Sequence, residues 1–82
     1  MKTIFLSSPY TGTITETESR ITGLCEMTDM LIKQGYCVIC PVLMGHLIVT
    51  RLPDTPASWD YWAKTCETLL EKSDEVIVAT LS

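Results

Sequence analysis

Apolar positions fall into two kinds of segment that follow one another along the chain: short solid runs and long stripes at helical spacing. Thr3-Ile4-Phe5-Leu6-Ser7 is a β-branched, aromatic and aliphatic run closed by Ser8-Pro9, the pattern of a strand buried on both faces. Turn chemistry follows in Pro9-Tyr10-Thr11-Gly12-Thr13. Thr13 and Thr15 each have a glutamate three residues on (Glu16, Glu18), so either can form the capping box that opens a helix. Ile21, Leu24, Cys25, Thr28, Leu31 and Ile32 then recur at i, i+3, i+4, i+7, with Glu18, Glu26, Asp29 and Lys33 mostly off the stripe and Gly35 placed to stop it. A second strand is predicted over Tyr36 to Cys40, ended by Pro41. From Val42 to Ala57 the pattern loosens: a short helix through Val49 fits it, and Pro53 and Pro56 enclose an exposed loop. Ser58 is placed to cap another long helix whose stripe reads Trp59, Trp62, Ala63, Cys66, Leu69 and Leu70 and is expected to pack on the sheet. Glu75 to Leu81 reads as a third buried strand.

Strands separated by whole helices must run parallel, with right-handed crossovers. The expected fold is therefore α/β, a small flavodoxin- or Rossmann-like arrangement of three parallel strands in order 2-1-3 flanked by helices, with residues 1–82 forming a single domain. Three strands leave open edges and a thin core, which predicts a homo-oligomer in which partner subunits cover apolar helix faces or complete the pocket.

Composition narrows the function classes. Six Lys and Arg against ten Asp and Glu give a net charge of -4, and the bases (Lys2, Arg20, Lys33, Arg51, Lys64, Lys72) do not cluster. A nucleic-acid polymer as partner is excluded on that ground, since its affinity would come from a basic stripe. The longest apolar stretch, Cys37 to Val49, is broken by Pro41, Gly45 and His46 and falls short of the roughly 20 residues that span a bilayer, so no membrane partner is expected. The N-terminal apolar run is too short for a secretory signal, which needs about 7 to 15 apolar residues. Four cysteines in a chain that is 46 % hydrophobic read as reduced thiols in a cytoplasmic protein rather than as staples. Cys37 and Cys40 have the spacing of a zinc or redox pair. On a strand, however, residues three apart point to opposite faces and no helix signal follows Cys37, so both read as small buried hydrophobes, and neither a metal nor a cofactor is expected.

In an open parallel sheet, ligands settle at the carboxyl ends of the strands where strand order reverses, here beside the first strand. The candidate ligand-binding residues are Ser7, Ser8, Pro9, Tyr10, Thr11 and Gly12, with Arg20 on the following helix and Met44 and His46 in the segment after strand two. Free backbone N–H groups and hydroxyls at a helix start suit an anion or a ribose. Each residue has a plainer alternative: Arg20 as an ion-pair partner, His46 as a loop residue, Met44 as packing, and Trp59 and Trp62 as core or interface residues rather than as platforms for a base.

Ser8-Pro9-Tyr10-Thr11 at the end of the first strand resembles the nucleoside 2-deoxyribosyltransferase-like superfamily. So do Arg20, Gly35, Pro41-Val42 with His46, Leu52-Pro53, Trp59, Trp62, and Leu69-Leu70 with Asp74, and the likeness is closest to a short phage and bacterial branch. The resemblance spans the chain and implies the same fold. It implies a pocket for a nucleoside-type molecule, with a glutamate nucleophile attacking the anomeric carbon, aspartates on base and ribose, and a tyrosine, matched by Tyr10, orienting the nucleophile. The aspartate that the family places eight residues before Asp74 falls on Cys66, and the nucleophile is expected beyond Ser82. No catalytic residue is therefore assigned. The expectation is binding of a nucleotide or nucleoside without turnover, for instance by a phage protein sequestering a nucleotide immune signal; the alternative is a deoxyribosyltransferase or N-glycosidase.

Overall fold

The computed structural model describes residues 1–9 and 14–79. In chain order the elements are β1 (Thr3–Ser7), α1 (Ile14–Lys33), β2 (Cys37–Ile39), α2 (Pro41–Arg51), α3 (Trp59–Glu71) and β3 (Glu75–Val78). The strands form one parallel sheet in the order β2-β1-β3, so the fold is α/β with an open sheet. β1 is central, and Ile4, Phe5 and Leu6 are all buried, as a strand covered on both faces requires.

Pairing register assigns the faces. Ile4 lies opposite Val38 and Leu6 opposite Ile77, and these side chains share the face on which α1 packs, where Leu6, Leu24 and Ala79 form the core with Met27, Val38 and Ile77 against it. Phe5 lies opposite Ile39 and Val76, and Ser7 opposite Val78, on the other face. At the amino end of the sheet, away from the strand ends where a ligand would sit, Asp74 ties the edge: its Oδ2 accepts from the Thr3 N–H at 2.7 Å, and its own N–H donates to the Thr3 carbonyl at 2.8 Å. Lys2 Nζ and Glu75 Oε1 pair beside it at 2.7 Å.

Gly35 ends α1 in the left-handed region, φ 96°. The Tyr36 N–H reaches the Leu31 carbonyl and the Gly35 N–H the Ile32 carbonyl, the two bonds that close a helix of this kind. A Cβ at position 35 would meet nothing within 4 Å, so backbone conformation and not space demands glycine.

Several expectations are corrected. The buried stripe of α1 runs through Leu24 and Leu31, with Met27 and Thr28 between them, whereas Cys25 and Ile32 are exposed; the six-position stripe was wider than the strip of sheet available to cover it. Pro41 does not simply end a strand. It is the first residue of α2, where a missing N–H costs nothing, and α2 continues to Arg51. Cys40 is thus an N-cap residue, half-buried against the core, and Cys37 on β2 is exposed. β3 stops at Val78 and is not a buried strand: Val76 is 52 % and Val78 62 % exposed. α3, the most amphipathic of the helices, has no buried residue and does not pack on the sheet, and Ser58 stands at its N-cap without a side-chain hydrogen bond.

Replacing Gly35 by alanine is expected to cost about 1–2 kcal/mol in urea unfolding, because a side chain at positive φ is strained, and Gly35→Asn should cost less, since asparagine tolerates that region. Leu24→Ala, which empties the centre of the packed face, should cost about 3–5 kcal/mol in the same assay.

Candidate functional site

The second face of the sheet explains the exposure of α3. Between it and α3 lies a cavity of about 510 Å³, inside the range of pockets that hold small molecules. Phe5, Ser7 and Ser8 form its floor at the carboxyl end of β1. One wall comes from α2 through Pro41, Val42, Gly45, His46 and Val49, and the other from α3 through Trp59, Trp62, Cys66, Glu67 and Leu70. Trp59, Trp62, Cys66 and Leu70 of the α3 stripe therefore face the cavity instead of closing on the sheet. Val76 and Val78 share the face of Phe5 and Ser7 and are exposed on the edge strand β3, though neither lines the cavity.

Local structure positions the two indoles. Trp62 donates its Nε1–H to the Pro56 carbonyl at 2.8 Å, which fixes the ring across the loop that enters α3. It lies over Gly45 of α2, where an added Cβ would stand 3.9 Å from the ring. Tyr61 packs edge-on against it, with centroids 5.3 Å apart. Trp59, one turn earlier, is 64 % exposed and stands at the rim.

The candidate residues read from the sequence divide into three groups. Ser7, Ser8 and His46 come together on the cavity wall; Ser8 is buried, and its hydroxyl donates to the Pro9 carbonyl at 3.2 Å. His46 Nε2 stands 3.8 Å from Glu18 Oε1, an ion pair only when the imidazole is protonated. Pro9, Arg20 and Met44 do not line the cavity: Pro9 and Met44 are exposed, and Arg20 Nη2 stands 3.8 Å from Glu16 Oε2, one turn away on its own helix. Tyr10, Thr11 and Gly12 lie outside the described residues.

Glu67 escaped sequence reasoning. It is charged and lies off the apolar stripe, yet it follows Cys66 closely enough around the helix to border the cavity. The signal that could have found it is the position one residue beyond a stripe member. Val42 and Val49 were hidden in the segment whose pattern looked loose, and the i, i+3, i+7 spacing of Val42, Gly45 and Val49 is the trace they leave.

Thiol chemistry is subdued. Burial pushes the Cys66 thiol up from its ordinary value, and the neighbouring Glu67 carboxylate adds to the shift. Burial likewise pushes the Cys40 thiol up, partly offset by backbone N–H groups of Leu43 and Val42. All four cysteines are free. Among the described residues no three His, Cys, Asp or Glu side chains gather in an arrangement that could hold a metal ion, and no helix is long and apolar enough to cross a membrane.

Residues 2–82 match the family model described as Domain of unknown function (DUF1937), so the chain belongs to that family. No curated protein and no solved structure matches it.

Limited alkylation with iodoacetamide, followed by mass spectrometry, should modify the exposed Cys25 and Cys37 before Cys40 and Cys66. Because the raised thiols form thiolate only at higher pH, the rates at Cys40 and Cys66 should rise with pH later in the folded protein than in the urea-unfolded chain.

Proposed function

We propose that this member of the DUF1937 family binds a nucleoside-type small molecule between α3 and the sheet and holds it without chemical change. The observation that carries the reading is the make-up of the cavity: two indoles on one side, aliphatic side chains on the other, and the hydroxyls of Ser7 and Ser8 with the imidazole of His46 at the strand end. Flat apolar walls suit a heterocyclic base, which gains from stacking on tryptophan. The hydroxyls and imidazole suit the donors and acceptors of a sugar. A ligand there would also cover apolar surface that α3 leaves exposed, so binding and closure of α3 would favour each other.

A second reading, cleavage of the bond between deoxyribose and base, is favoured by one observation: Glu67, an acidic residue, borders the cavity. In that case its oxygen would bond to the anomeric carbon as the bond to the base breaks, and water would then cleave the glycosyl ester, giving its hydroxyl to the sugar and its proton to the departed base and regenerating the carboxylate. Self-association belongs to the same proposal, supported by the open β3 edge with Val76 and Val78 exposed beside the cavity.

Deoxyadenosine at ten times its dissociation constant should stabilise the fold by about 1.4 kcal/mol and raise Tm by roughly 5 to 10 °C. It should also shield Cys66 from alkylation. Chromatography of the denatured complex should return the intact nucleoside; free base would establish the second reading instead. Trp59→Ala, at an exposed position that the fold does not need, should weaken binding by about 5- to 100-fold. No thermal shift with any common nucleoside, nucleotide or base at millimolar concentration would refute the proposal. Sedimentation equilibrium at micromolar concentration is expected to give a mass above that of one chain, and a monomer mass would remove self-association from it.

A further inference from the structure

We infer that the cavity selects by charge, taking the uncharged nucleoside and rejecting its phosphate esters, with Glu67 as the determinant. This deepens the binding reading above and rests on it.

The chain has six Lys and Arg, and none lines the cavity. Lys2 pairs with Glu75 at the opposite end of the sheet, and Lys33 with Asp29 in the last turn of α1. Arg20, the base nearest the start of α1, stands beside Glu16. Arg51 is the last residue of α2, Lys64 borders a separate shallow depression on α3, and Lys72 follows the end of α3. The four residues between the described segments, Tyr10 to Thr13, include no Lys, Arg or His, so they add no cation.

Negative charge, by contrast, is at hand. Glu67 lines the cavity. Glu18 stands 3.8 Å from the one cavity group that could become a cation, His46, so an imidazolium there would already have its counter-ion. The start of α1 is the remaining attraction for an anion, and its first turn carries Glu16, which offsets the dipole from within the chain. A phosphate at this site would face carboxylates without a compensating base. An uncharged sugar hydroxyl would meet the same groups as hydrogen-bond acceptors.

Adenosine and adenosine 5′-monophosphate are the probes, titrated against the full chain. The readout is built in: Trp59 and Trp62 are the two tryptophans, and both line the cavity. At about 0.01 M salt, where charges act over roughly 30 Å, the monophosphate should bind at least about tenfold more weakly than adenosine. At about 0.15 M salt, where the range falls to roughly 8 Å, the gap should shrink at least about threefold. Glu67→Gln should shrink it comparably at low salt, and if that variant fails to fold, the salt series decides alone. Equal or tighter binding of the monophosphate overturns charge selection and leaves the binding reading standing. A gap indifferent to both salt and Glu67→Gln assigns it to size and also overturns the inference. No fluorescence or Tm response to these probes or to any other common nucleoside, nucleotide or base at millimolar concentration overturns both the inference and the reading beneath it.

Discussion

The structure turns on how the two faces of β1 are covered. Ile4, Phe5 and Leu6 are buried together, but Leu6 meets Leu24 of α1 directly whereas Phe5 looks across a cavity toward α3. Close packing on one face is enough to hold a three-stranded parallel sheet with its neighbouring helix. The other face remains open, and on that side lie a helix with no buried residue, two half-exposed valines on an edge strand, and a tryptophan at a rim. Exposed apolar surface of that extent is costly in water, so a molecule that fills the gap gains both its own burial and that of α3.

Ends of the sheet divide the polar work. At the amino end, Asp74, Lys2 and Glu75 bind the strands to one another through hydrogen bonds and an ion pair, a use of charge that serves only the fold. At the carboxyl end, Ser7, Ser8 and His46 face a cavity with Glu67 opposite and no Lys or Arg on its described wall. Parallel strands make this separation natural, because all three end on the same side.

Part of the candidate site is legible in the sequence. Ser7, Ser8 and His46 were marked because a strand end at a reversal of strand order is where an open sheet has unused backbone groups, and that depends only on the order of elements. Trp59 and Trp62 read as packing residues from the stripe alone, since a stripe position cannot reveal whether the helix closes on its sheet or stands off it. Glu67 was missed for the same reason: position on a helical wheel tells which residues neighbour one another, not how wide the covered sector is. Met44 sits on α2, one residue before the cavity-facing Gly45, and turns outward.

Local signals settled what depends on neighbours in the chain. Gly35 stops α1 because its positive φ lets the last carbonyls find donors, and parallel pairing follows from strands separated by helices, whereas the order β2-β1-β3 belongs to the folded sheet. Pro41 carried two meanings, a strand end and a helix start, and only the continuation through Arg51 chose the second. Which apolar face packs and which stays open was a tertiary decision. α1 and α3 both carry apolar stripes at helical spacing, yet one lies against Leu6 and the other is held away from Phe5, because the distance from helix to sheet is set by all the elements at once and leaves no mark on the periodicity of any one of them.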